Sequence, residues 1–170
     1  MSETVKLRSK ASAEKRRPSV FWVLAGLILP IWSCMVRYKF TPGSKLPATG
    51  SFILSPNHYS EIDPIAMGGA IWHLGRLPRF MAKASLFKVP VFGWLLKVSG
   101  QIPVQREGTI RSAEGNPMGA AADLIRREAA VIVYPEGTLT RDPDLWPMRG
   151  KTGAVRLALE TGIPLIPAAH

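Results

Sequence analysis

The chain has one cysteine in 170 residues, Cys34. That excludes an internal disulfide and suits a reducing compartment. Cys34 lies inside an apolar run, where the expected role is a small buried hydrophobe. Acidic residues are also scarce, 12 against 22 Lys and Arg, for a net charge of +10. Nucleotide and metal signatures are missing too. There is no Gly-x-Gly-x-x-Gly run and no cluster of metal-ligand residues, so no metal is expected. Arg149-Gly150-Lys151-Thr152 imitates the end of a Walker loop, but the first Gly of such a loop would fall on Leu145. No repeat and no nucleic-acid recognition motif is present, which argues against a nucleic-acid partner. His73 and His170 stand alone in sequence and are expected to be structural or exposed.

What the chain does have is apolar bulk. Hydrophobic residues make up 46%, too many for a disordered basic tail, and 170 residues suffice for one core. A folded, basic, apolar-rich chain points to an anionic surface or a phosphate-bearing partner. Residues 1–17 carry Lys6, Arg8, Lys10, Lys15, Arg16 and Arg17 without an apolar period, as a disordered arm near anionic lipid would. Residues 20–36 form the most apolar stretch, interrupted by Pro30 and flanked on both sides by basic residues. A helix of that length covers roughly 25 Å, short of a ~30 Å hydrocarbon core. The expected arrangement is a kinked helix dipping into one leaflet, with Trp22 and Trp32 at the interface and a true span as the alternative. No small-x-small cleavage site follows, so a signal peptide is disfavoured.

Beyond residue 36 strands and helices alternate. Strands are expected at 36–40, 52–55, 79–82, 101–104, 130–134 and 163–167. Helices are expected at 64–74, in the second half of 85–99, in part of 110–127 and at 151–160, the last closed by Gly162. The pattern implies an α/β fold, a mostly parallel mixed sheet flanked by helices, with an N-terminal membrane-associated helix. Residues 1–36 form the arm and apolar helix, and residues 37–170 the main domain. The chain stops at His170 directly after an apolar strand, which suggests a domain truncated at its C-terminus.

The first turn with chemical content is Asn57-His58-Tyr59-Ser60-Glu61-Ile62-Asp63. It joins a short apolar strand to a helix, where α/β folds place their sites. Asp63-Pro64 reads as an N-cap/N1 pair, which would hold Asp63 anionic at a helix N-terminus. A carboxylate on one imidazole nitrogen fixes the tautomer and leaves the other nitrogen basic. His58 and Asp63 therefore form a candidate base and orienter for an activated hydroxyl or thiol. Arg106 follows the strand ending at Val104 and could fork onto a phosphate. Glu136-Gly137-Thr138 follows Tyr134-Pro135 at another strand end. With Arg141 nearby, that turn suits a polyol phosphate.

Four turns now stand in order: Asn57 to Asp63; Gly100 to Arg106; Tyr134-Pro135-Glu136-Gly137-Thr138; and Ile163-Pro164-Leu165-Ile166-Pro167. This set resembles the glycerolipid acyltransferase superfamily, in particular bacterial 1-acyl-sn-glycerol-3-phosphate acyltransferases. Their blocks read N-H-x-x-x-x-D, G-x-I-x-x-x-R, F-P-E-G-T-R-S and V-P-I-x-P. The segments Lys83 to Phe87 and Pro90 to Gly93 are similar to the family's connecting region. The resemblance implies transfer of a fatty acyl group from an acyl-CoA or acyl-carrier-protein thioester to the free hydroxyl of lysophosphatidic acid, making phosphatidic acid. It implies His58 as general base and Asp63 as its orienter. Arg106, Glu136, Gly137, Thr138 and Arg141 would bind the acceptor's glycerol phosphate. No cofactor beyond the thioester co-substrate is implied. The implied partners are the acceptor, the thioester and an anionic membrane surface, placing the protein at the cytoplasmic face of the cell membrane, monotopic or peripheral. One position departs from the pattern: Leu139 stands where the family has Arg, so Arg141, with Arg149 or Lys151, would have to supply the charge. Another lysophospholipid or a glycolipid as acceptor, or a non-catalytic lipid-binding scaffold, remain alternatives.

Overall fold

A computed structural model describes residues 11–41, 43–104 and 124–170. The elements in chain order are α1 (Ala13–Arg16), α2 (Val20–Met35), β1 (Phe52–Pro56), α3 (Asp63–His73), β2 (Pro78–Lys83), a 3-10 turn (Ala84–Lys88), α4 (Phe92–Val98), β3 (Ile102–Val104), β4 (Ala130–Ile132), α5 (Gly153–Thr161) and β5 (Leu165–Ala168). The five strands form one sheet in the order β3-β2-β4-β1-β5. Every pairing among them is parallel, so the expected mixed sheet is a parallel one. Parallel sheets are covered on both faces, and the strand side chains divide accordingly. Phe52, Leu54, Ala130 and Ile132 face Met67 and Ile71 of α3. Ile53 and Val131 face Ala154 and Leu157 of α5. Phe52, Ile53 and Ile71 are completely enclosed. Each contributes about 1.5–3 kcal/mol of burial.

No strand forms at 36–40. Both sides of β1 are already taken by β4 and β5. Tyr38 is instead held through its hydroxyl, which accepts from Trp32 Nε1 at 2.7 Å and donates to the Ala66 carbonyl at 2.8 Å. Strand β4 is shorter than its apolar run, ending at Ile132, although the Val133 amide still donates to Leu54 O at 2.9 Å. The helix expected within 110–127 lies largely outside the described residues; 124–126 are helical. Gly162 closes α5 in the left-handed conformation, φ +68°, as its position promised.

The N-terminal part differs more from expectation. Residues 13–16 are helical, and the segment is docked. The Ser12 amide donates to Gly75 O at 2.9 Å. Glu14 pairs with Arg79, and Lys15 Nζ reaches Trp72 O. Lys15 also sits 4.2 Å over the Trp72 ring, and its burial lowers its pKa. Lys15 is therefore committed to capping α3, not to a lipid headgroup. Among the described residues no helix is long and apolar enough to cross a membrane. Trp32 is buried rather than interfacial, and Cys34 is exposed rather than buried. Helix α2 lays Phe21, Leu24 and Ile28 over Ile65, Gly68 and Trp72 of α3, enclosing a groove of about 230 Å³. Its outer face carries Val23, Leu27, Ile31 and Met35, spaced four apart and each more than 60% exposed.

Two buried arginines fasten the loops at the N-terminal side of the sheet. Arg76 is 1% exposed and donates to the carbonyls of Pro47, Gly50 and Glu128. Arg79 donates to Ser99 O at 3.0 Å as well as pairing with Glu14. A buried cation costs several kcal/mol unless paired or hydrogen-bonded, and here the carbonyls and Glu14 supply the partners.

Candidate active site

Because the strands are parallel, their C-terminal ends converge on one edge, and the turns after β1, β2, β4 and β5 face each other there. The turn after β1 carries His58 and Asp63. The His58 backbone is clamped from the turn after β4: its N–H donates to Glu136 Oε1 at 2.8 Å, and its carbonyl accepts from Thr140 N at 2.8 Å. Its ring stacks on Tyr134, centroids 4.1 Å apart at 26°. Nδ1 lies 2.9 Å from Asp63 Oδ2. With the carboxylate as acceptor, Nδ1 carries the proton, which leaves Nε2 the basic nitrogen. Among the described residues no hydrogen bond engages Nε2.

Asp63 begins α3 but does not cap it; Ile62 holds the N-cap position and supplies no side-chain bond. The expected forward cap is replaced by a backward one. Asp63 Oδ2 also accepts from Tyr59 N at 2.8 Å and Ser60 N at 2.9 Å, so the carboxylate ties the turn that carries His58. Burial works to raise the Asp63 pKa. The hydrogen bonds from His58, the Ser60 amide, His170 and the Tyr59 amide outweigh it and hold the carboxyl below its ordinary value. Tyr134 is pushed the other way, upward, by burial first and then by the Asp63 charge. Its hydroxyl is buried without a partner among the described residues.

The turn after β4 is built around Glu136, 3% exposed. One oxygen accepts from His58 N and the other from Met148 N at 2.9 Å, so the side chain joins two loops with each oxygen held by a backbone amide. Gly137 has φ +67°, which favours glycine, and a Cβ there would lie 2.9 Å from the flexible end of Lys151, Nζ. The Lys151 amide donates to Pro135 O at 2.7 Å, which seats the lysine across the turn. Thr138 and Arg141 are exposed. Arg106 lies outside the described residues.

A cavity of about 710 Å³ opens at this edge, and His58, Lys83, Tyr134, Gly137, Lys151 and Arg156 line it. Met81, Val104 and Val133 form its apolar wall. Arg141 does not line it. Lys83 ends β2, and Arg156 sits on the first turns of α5. Sequence reasoning passed over Lys83, Arg156 and Tyr134 as cavity residues. Their signals were local: a lysine closing a strand, a basic residue just inside a helix, and an aromatic preceding Pro-Glu-Gly. An apolar wall, three cations and a free imidazole nitrogen suit an amphipathic anion bearing a hydroxyl.

A family model described as Acyltransferase matches residues 37–170. A chloroplastic 1-acyl-sn-glycerol-3-phosphate acyltransferase of Brassica napus is 27% identical over 150 residues, covering 82% of this chain and 40% of the relative. The protein of that name in Bacillus subtilis is 34% identical over 128 residues, 74% of this chain and 58% of the relative. That of Escherichia coli is 25% identical over 150 residues, 88% and 58%. The chain thus spans between about two fifths and three fifths of these relatives' lengths. With 134 of its 170 residues matched, the chain belongs to the acyltransferase family.

Proposed function

We propose that this protein transfers a fatty acyl group from a CoA or acyl-carrier-protein thioester to the free hydroxyl of lysophosphatidic acid, yielding phosphatidic acid. The observation that carries the reading is the His58–Asp63 pair at 2.9 Å, with His58 lining a cavity that also holds three cations. His58 Nε2 takes the acceptor's hydroxyl proton as that oxygen bonds to the thioester carbon. The tetrahedral intermediate collapses with cleavage of the carbon–sulfur bond, and the imidazolium returns the proton to the departing thiolate. Asp63 holds the tautomer and stabilises the imidazolium, and the Tyr134 face adds roughly 0.5–2 kcal/mol to the same cation. The acceptor hydroxyl is itself the nucleophile, so no covalent enzyme intermediate is required. Lys83, Lys151 and Arg156 hold the phosphate, with Arg106 and Thr138 as further candidates. The role of Glu136 is to fix the His58 backbone rather than to touch the acceptor.

In the same proposal the outer face of α2, with Val23, Leu27, Ile31 and Met35, rests in one leaflet of an anionic membrane, with the protein peripheral on the cytoplasmic face. Four exposed apolar side chains at a spacing of four make a continuous stripe on one side of a helix.

The test is an acceptor panel in anionic vesicles with one labelled acyl thioester. Lysophosphatidic acid is expected to exceed lysophosphatidylcholine and lysophosphatidylethanolamine by at least tenfold in kcat/KM, as loss of the phosphate-monoester charge would require. Leu27→Glu with Ile31→Glu is expected to release the protein from the same vesicles. Equal rates across the panel would sink the phosphate-monoester assignment, and retained flotation of the double variant would sink the α2 anchor.

A further inference from the structure

His170 was expected to be structural or exposed; it is exposed as a residue, but its side chain, 19% exposed, reaches into the site. It lies two residues past β5, whose Ala168 pairs with Pro56 at the end of β1. Asn57 grips its backbone from both sides: His170 N donates to Asn57 Oδ1 at 3.1 Å, and Asn57 Nδ2 donates to His170 O at 3.4 Å. Its ring rests against Tyr59, centroids 4.9 Å apart. Its Nε2 is 3.3 Å from Asp63 Oδ1.

The two oxygens of Asp63 are thereby divided. Oδ2 serves His58 and the amides of Tyr59 and Ser60, while among the described residues Oδ1 has His170 alone. Asp63 is 2% exposed, and an oxygen closed off from water needs a donor. We propose that His170 is a positioning residue: it donates Nε2–H to Asp63 Oδ1, sets the rotation of that carboxylate, and through it sets the aim and basicity of His58.

The direction follows from charge. Each donor on Asp63 draws negative charge away from His58 and weakens the support for its imidazolium. Removing the His170 donor leaves more charge for His58, so its apparent pKa rises. It also frees the carboxylate to turn, so the ring aims less well. Among the described residues, the other ionisable groups facing this assembly are Tyr134 against the His58 ring, Glu136 on the His58 amide, Tyr59 against His170, and Lys83, Lys151 and Arg156 on the cavity wall. None of them is altered by the substitution at 170.

The proposal rests on His58 as the base, so the experiment reads the coupling with and without turnover. His170→Phe keeps a ring against Tyr59 and deletes the donor; His170→Gln keeps an amide donor of similar reach. In substrate-free protein, NMR titration of the His58 ring should show a rise in apparent pKa of a few tenths of a unit for the Phe variant and a value near the parent's for Gln. In turnover, the Phe variant should lose roughly tenfold in kcat with little change in acceptor KM, and its acid limb should move to higher pH. The Gln variant should recover most of the rate. An unchanged His58 titration in folded His170→Phe overturns the proposal, and so does equal loss of rate in the Phe and Gln variants. A shifted titration with kcat intact upholds the coupling and sinks His58 as base, which separates the two failures.

Discussion

Asp63 and Glu136 invite comparison. Both are carboxylates near strand ends, they are 2% and 3% exposed, and both bond to the residue between them, His58. They differ in what they hold. Asp63 accepts from the His58 ring, a partner that can gain and lose a proton. Glu136 accepts from the His58 and Met148 amides, partners that cannot. Asp63, which also holds the Tyr59 and Ser60 amides, is therefore coupled to proton transfer as well as to its turn, and Glu136 to backbone position alone. Burial and motif membership alone do not separate them; the titratability of the partner does.

The largest effect expected is on the proton-coupled side. His58→Ala should lower kcat by ~10²–10⁴, the usual worth of a positioned general base. Asp63→Asn keeps the size but removes the charge and presents a donor to the wrong nitrogen, so it should be nearly as severe with acceptor KM little changed. Because the two act as a unit, the double variant should be scarcely slower than His58→Ala. Asp63 also links to stability. Its folded pKa lies below the ordinary 3.8, so the carboxylate stabilises the fold above that value and the contribution is lost as pH falls through the folded pKa. Asp63→Asn should therefore melt with a shallower dependence on acid pH. Steady-state thiol release and melts at pH 3 to 7 measure both. Near-normal kcat in folded His58→Ala would move the protein to the lipid-binding scaffold reading.

Glu136→Gln probes the other side and should be intermediate. A glutamine offers one acceptor where two amides need one each, so its NH₂ must face the N–H of His58 or Met148. An unsatisfied buried pair costs about 1–3 kcal/mol. Stability should fall by that amount, and kcat by roughly tenfold as the His58 backbone loosens, far less than the loss in His58→Ala. Chemical denaturation alongside kinetics checks it. If Glu136→Gln matched His58→Ala in rate while keeping its stability, the contrast drawn between the two carboxylates would collapse.

The contrast also marks what a sequence can reveal. The His58–Asp63 pair was legible because its geometry is local: five residues, one turn and one helix start. The apolar runs at 52–55 and 130–134 and the Gly162 stop were legible for the same reason, since period, propensity and capping act over a few residues. The partners of Glu136 were not, because Met148 and His58 reach it from separate loops. Nor was His170, 107 positions beyond Asp63 by the difference of their numbers and brought to it by the β1–β5 register and the Asn57 side chain. Docking of 11–17 escaped for a related reason. Its basic composition reads as a solvated arm, but Glu14 and Lys15 meet Arg79 and Trp72, which the fold alone brings close. The all-parallel sheet was half legible: alternation gave the strands and helices, while strand direction depends on crossovers that pairing alone reveals.

The smallest effect expected concerns charge at the rim, where sequence and geometry name different residues. Arg141 is the cation nearest in sequence to the place where Leu139 replaces the family's arginine. Arg141 and Lys151 are both exposed, yet Arg141 is absent from the cavity wall, whereas Lys151 lines it over Gly137. An exposed charge outside the cavity is screened within about 8–10 Å at ordinary ionic strength. A phosphate bound in the cavity would meet Lys151 in direct contact, where salt screens least. Lys151→Ala should therefore raise acceptor KM roughly tenfold with kcat nearly constant, the signature of uniform binding lost. Arg141→Ala should change KM by less than about twofold, and what change there is should vanish in high salt. The measurement is acceptor KM for both variants at low and high ionic strength. If Arg141→Ala gives the larger, salt-resistant rise, the phosphate sits at the rim rather than in the cavity, and the three cations of the wall lose their assigned role.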